Sequence, residues 1–61
     1  MFTYRLILED GSPLDPPEFV TAVPSWREGE TFMIRPGRVY RIVQQRPADD
    51  AHAVWVVEPA V

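Results

Sequence analysis

The sequence predicts one small all-β domain over residues 1–61, in which five short strands form an antiparallel, partly open barrel. Apolar runs of strand length, rich in β-branched and aromatic residues, alternate with turn residues. The seven prolines lie between these runs, where the missing amide proton does not interrupt a strand ladder. No long apolar run has a helical period, so the connections are predicted to be short loops.

The first half of the chain predicts two strands. Alternation places Phe2, Tyr4, Leu6 and Leu8 on one face of a strand over residues 2–9. Residues 10–17, with glycine, serine and three prolines, predict a turn-rich loop. The second strand is predicted over residues 18–23.

A connector over residues 24–30 leads to a predicted hairpin. Ser25 and Glu28 match a capping box, but no helical apolar pattern follows, so a turn is predicted. Residues 31–35 and 38–45 are the third and fourth strands. Pro36-Gly37 predicts a type II turn, with a bulge or extra residues because such turns splay a tight hairpin.

The last strand is predicted over residues 53–57. A rival interpretation is a helix capped by Asp49 or Asp50, which would place Ala51, Val54, Trp55 and Glu58 at helical spacing. Three valines and a tryptophan in four residues favour the strand.

The segment 26–32, Trp-Arg-Glu-Gly-Glu-Thr-Phe, resembles the glycine turn that precedes a strand in SH3-like barrels. This resemblance implies an SH3-like architecture, and an OB-like barrel is the alternative. The acidic and aromatic motifs of peptide-binding SH3 domains are missing, so the resemblance does not imply binding of proline-rich peptides.

Charge is distributed unevenly along the chain. Residues 1–30 carry six acids and two arginines, residues 31–47 carry four arginines and no acid, and residues 48–61 carry three acids. One hypothesis is a nucleic-acid surface made by Arg35, Arg38, Tyr40 and Arg41. The alternative is that the arginines pair with acids of the same domain or of a second copy. The net charge of −3 disfavours attraction to phosphates, and Arg38 and Arg41 have opposite strand parity.

Apolar residues on both faces of the fourth and fifth strands suggest an interface, because a solvated antiparallel strand is apolar on one face only. The alternative is that barrel closure and loops cover the second face. The predicted contact residues are Trp26, Val54, Trp55, Val56 and Val57. The leading functional prediction is a non-enzymatic interaction or assembly module, which self-associates or docks on a protein partner.

Size and composition support that prediction. Sixty-one residues lie near the lower limit for a domain without disulfides or metals, so association would add useful burial. The absence of cysteine fits a reducing cytoplasm, and six arginines without a lysine suggest high-GC, bacterial coding. No apolar run approaches the ~20 residues of a membrane helix.

Sites of chemistry are not predicted. His52 follows Asp49 and Asp50, but the chain offers few other metal ligands, so a solvated loop is expected there. A chain this short is also too small to enclose a typical substrate pocket of about 300 Å³. The sequence therefore predicts no enzyme, no cofactor and no small-molecule ligand.

Overall fold

A computed structural model describes residues 1–23 and 25–60 of the chain, and its architecture is all-β. One five-stranded sheet, with strand order β2-β1-β5-β4-β3, curls strongly into a half-barrel. This confirms the predicted class of small, partly open barrel. The strands are β1 (Phe2–Leu8), β2 (Pro13–Thr21), β3 (Thr31–Arg35), β4 (Arg38–Arg46) and β5 (Ala53–Pro59).

The sheet is mixed, which corrects the prediction of a purely antiparallel barrel. β1 pairs with β2, β3 with β4 and β4 with β5 in antiparallel fashion, whereas β1 and β5 run parallel. The parallel pair lies at the centre of the sheet, with neighbouring strands on both sides. Parallel strands normally require cover on both faces, and β5 has the continuous apolar sequence that suits this position.

β2 begins earlier than predicted and includes three prolines. Residues 13–17 were expected to form a loop, but Pro13 pairs with Ile7, beyond a register shift whose extra residues lie in β2. Leu14 is buried in the core, which fixes this segment against the sheet. β2 is an edge strand, where prolines are tolerated because one side of the backbone has no strand to bond.

The structure confirms the predicted β3–β4 hairpin, with both its turn and its bulge. Arg35 pairs with Arg38 across Pro36-Gly37, and Gly37 has a φ of 81°, a conformation that favours glycine. The register shifts between Met33 and Arg35, as expected for a bulged hairpin. The predicted third strand matches β3, and the last strand continues to Pro59 instead of forming a helix.

The core lies on the inner, concave face of the sheet and centres on Trp55. The Trp55 ring stacks on Tyr4 at a centroid distance of 4.0 Å and contacts Phe32 at 5.2 Å. Two further rings contact Trp55: Phe19 of β2 at a centroid distance of 5.9 Å and Trp26 of the connector at 5.3 Å. The buried cluster comprises Tyr4, Leu6, Leu14, Phe32, Ile42, Trp55 and Val57.

Candidate functional site

The side chains of β5 alternate between the two faces of the sheet, and this reduces the number of predicted contact residues that are accessible. Trp55 and Val57 lie on the inner face with no exposed surface. They are core residues, which a partner of the folded chain does not reach. Val54 and Val56 alternate with them and lie on the outer face. Val56 is nevertheless only 4% exposed. The two-faced apolar pattern therefore reflects the central position of β5, which sequence reasoning did not anticipate.

Charged pairs lie beside the outer-face valines. Arg5, which pairs in register with Val54, forms an ion pair with Asp50. Arg41 binds Glu58 through Nη1 and Oε2 at 2.9 Å. Both arginines keep their charges in solvent while their aliphatic stems can cover neighbouring apolar surface. The outer face is thus a polar surface with valines between its ion pairs.

Trp26 is an anchor for the connector and is only half-buried. Its Nε1 donates to the Val23 carbonyl at 3.0 Å, and its ring packs edge-on against Trp55 and Phe19. The connector thereby folds over the inner face, as the barrel-covering alternative to an interface predicts. Pro24, predicted as the start of this connector, lies outside the described residues.

Gln45 links the two tryptophans, a role that no pattern in the sequence indicates. Its Oε1 accepts from Trp55 Nε1 at 2.9 Å, and its Nε2 donates to the Trp26 carbonyl at 2.8 Å. A register shift between Ile42 and Gln44 turns Gln45, rather than Gln44, toward Trp55. Strict alternation along β4 would have assigned Gln45 to the opposite face.

The four residues of the nucleic-acid hypothesis do not converge on one surface. Tyr40 is half-buried on the inner face against Phe32, and Arg38 Nη1 lies 3.4 Å from the Tyr40 hydroxyl. Arg41 lies on the outer face in its pair with Glu58. Arg35 is exposed at the end of β3. The Arg41 pair is one that the alternative interpretation of the arginines predicts.

The two edges of the sheet differ in their ability to accept another strand. At the β2 edge, Pro13, Pro16 and Pro17 have no amide proton. At the β3 edge no proline lies within residues 31–35, and Thr31, Met33 and Arg35 are exposed. An unpaired edge with free backbone groups is a template for strand pairing, and prolines are one means of blocking it.

The backbone geometry shows which groups of β3 point outward. Ile42 donates its amide to the Glu30 carbonyl at 2.9 Å, whereas Val39 accepts from Ala60 on the opposite side of β4. Because successive residues direct their backbone groups to opposite sides, Tyr40 forms the hydrogen-bonded pair with Phe32. Thr31 and Met33 therefore direct their amides and carbonyls to the open edge.

The remaining candidate, His52, is exposed in the loop before β5, where a solvated loop was predicted. Its ring contacts Phe2 and Tyr4 edge-on at 5.0 and 5.3 Å, and its amide donates to the Thr3 carbonyl at 2.8 Å. Within residues 1–23 and 25–60, no three acidic, histidine or cysteine side chains are grouped as a metal site would require. No cavity is found in this part of the chain either.

Comparisons with known proteins add no family: no family model, no curated protein and no solved structure matches the chain. None of the described residues belongs to a helix of the length and apolarity that crossing a bilayer requires.

Proposed function

We propose that the chain is a non-enzymatic protein-interaction module, a small β-barrel that self-associates or docks on a protein partner by strand addition at the β3 edge. Strand addition requires backbone amides and carbonyls without a strand partner. The outward groups of Thr31 and Met33 meet that requirement, and this observation carries the proposal. Main-chain hydrogen bonds would supply the affinity, and side chains at the edge would supply the specificity.

The exposure of apolar side chains supports β3 over β5 as the contact. Met33 is 57% exposed, more than any other large apolar side chain in the described strands. Val54 and Val56 on β5 lie among charged neighbours, and Val56 is almost covered. A partner at β3 would bury apolar area that the single chain leaves in water.

The alternative function, binding of nucleic acid by Arg35, Arg38, Tyr40 and Arg41, receives less support. Arg41 is already paired with Glu58, and the net charge of the chain is −3. A nucleic-acid surface needs several cations that reach the same phosphate backbone. Here the arginines of β3 and β4 diverge.

Titration with single-stranded RNA and DNA oligonucleotides, alongside sedimentation velocity, tests the proposal. We expect association between protein chains and no tight oligonucleotide binding. The opposite result is a monomer that binds oligonucleotides with a steep salt dependence, lost in the double variant Arg35→Ala/Arg38→Ala. The variant Arg46→Ala is the control, since it removes one arginine from the far end of β4.

Further elements of the proposal concern architecture and location. The turn at Glu28-Gly29 directly before β3, with a Gly29 φ of 93°, supports the SH3-like form of the barrel. The lack of cysteine supports a reducing cytoplasm, and the exclusive use of arginine among basic residues supports a bacterial source.

A further inference from the structure

We infer that the partner at the β3 edge is a second copy of this chain, paired antiparallel to the first about a two-fold axis at Met33. This inference rests on the proposed function, strand addition at β3. It assigns the occupant of the edge and the register of the pairing. The product would be one continuous sheet across two half-barrels.

The charges around β3 are self-complementary in an antiparallel arrangement. Glu28 and Glu30 precede β3. Arg35 is its last residue, and Arg38 follows after the turn. All four side chains are exposed. Antiparallel pairing of two copies brings the acidic end of each strand to the basic end of the other, twice by symmetry. Parallel pairing would instead bring like charges together.

The backbone register also fits a symmetric pair. A residue whose amide and carbonyl point to the open edge must lie opposite a residue of the second strand whose amide and carbonyl also point to the open edge. A centre at Met33 satisfies this rule for Met33 itself, because the two Met33 residues lie opposite each other. The register shift between Met33 and Arg35 turns the backbone of Arg35 toward Arg38, so the regular main-chain pairing is confined to the centre. The two Met33 side chains would meet on the outer face. Val39, the register partner of Met33 in β4, would flank them in each copy.

The β2 edge disfavours the competing arrangement, in which β3 of one copy pairs with β2 of another. Such head-to-tail pairing leaves a free edge at each end and continues into open-ended assemblies. Pro13, Pro16 and Pro17 deprive β2 of three amide donors. The β3–β3 pair, in contrast, uses the open β3 edge of each copy, so assembly stops at the dimer.

The length of β3 limits the affinity. Five residues form the strand, so the interface is short and a weak dimer is expected at high micromolar protein concentration. The measurement must therefore cover a wide concentration range.

Sedimentation velocity with matched variants tests the inference. We expect Met33→Lys to raise the dimer dissociation constant by about tenfold or more, because like charges would face each other at the axis. Val20→Lys is the control. Val20 is 51% exposed and lies on the other edge strand, so its change adds the same charge away from the pairing site.

Charge reversal provides a second pair of variants. Arg35→Glu places an acid opposite the acidic end of the second copy and should also weaken the dimer. Arg46→Glu makes the same change in net charge on β4, away from the edge, and should leave the dimer intact.

Amide hydrogen exchange locates the contact independently of any substitution. We expect the Met33 amide to become protected as protein concentration rises. The Phe32 amide, already bonded to Tyr40, should be protected at every concentration.

The outcomes separate the inference from the proposed function. A chain that stays monomeric, grows beyond dimers, or dimerises equally well with Met33→Lys overturns the β3–β3 pair. Oligonucleotide binding by the arginines would instead overturn the proposed function itself.

Discussion

On the inner face of the sheet, Trp55 is covered by rings from β1, β2, β3 and the connector, whereas on the outer face Val54 and Val56 lie beside the exposed ion pairs of Arg5 and Arg41. Both faces of β5 are apolar in sequence, yet they are covered differently. The inner face is a packed aromatic cluster closed by Trp26. The outer face is a single layer with ion pairs beside the valines. Stability should therefore be concentrated on one face.

Removal of the central ring is the strongest test of this comparison. We expect Trp55→Ala to lower the free energy of unfolding by about 3–5 kcal/mol, because it leaves a cavity among four other rings. Val54→Ala, on the outer face of the same strand, should cost about 1 kcal/mol. Urea denaturation followed by circular dichroism measures both, and equal losses would remove the distinction between the faces.

Gln45 tests whether the inner face depends on its polar link. We expect Gln45→Ala to cost about 1–3 kcal/mol, since Trp55 Nε1 and the Trp26 carbonyl both lose a hydrogen-bond partner. Gln44→Ala is the matched control on the exposed side of β4 and should change stability by no more than about 0.5 kcal/mol. If the two variants behave alike in denaturation, the link contributes nothing to stability.

Alkaline pH tests the burial of the inner face. Burial raises the pKa of Tyr4 above its ordinary value. Below about pH 10 the tyrosine is protonated in both folded and unfolded chains, so it adds no pH dependence. Above that pH the unfolded chain ionises first, and the free energy of unfolding should fall as pH rises.

Tyr4→Phe separates this effect from other alkaline titrations. The variant should lose the part of the slope that Tyr4 contributes, whereas Tyr40→Phe leaves Tyr4 in place and should retain it. Denaturant titrations between pH 9 and 11 provide the measurement. An unchanged slope in Tyr4→Phe would assign the alkaline effect elsewhere.

The outer-face ion pair should have the smallest effect. Both Arg41 and Glu58 are more than a third exposed, so a double-mutant cycle with alanine should give a coupling of about 0.2–1 kcal/mol. Added salt should reduce that coupling. A larger, salt-insensitive value would show that the outer face contributes to stability in the way the core does.

The strands themselves were largely readable from the sequence. Alternation in β1 placed Tyr4 and Leu6 in the core, and Pro36-Gly37 located the hairpin. The extent of β2 was not readable, because Pro13, Pro16 and Pro17 are typical of loops. Only the buried Leu14 and the edge position explain why this segment is a strand.

The candidate site was less readable than the fold. Sequence reasoning favoured an interface as the explanation of the apolar excess of β5, with coverage by barrel closure and loops as the alternative, since it assumed antiparallel strands with one solvated face. It missed Gln45, whose orientation depends on a shift of register in β4. It also had no means of identifying the open edge, because strand order determines which backbone groups lack a neighbour.

The sequence by itself determined an all-β chain of five strands, the inward face of β1 and the position of the hairpin turn. These features depend on local periodicity and on the restricted conformations of proline and glycine. Tertiary structure alone decided that β1 and β5 are parallel, that β5 is central and that β3 ends the sheet unpaired. These features depend on which distant segments come together, and a period of two residues carries no information about a strand's neighbours.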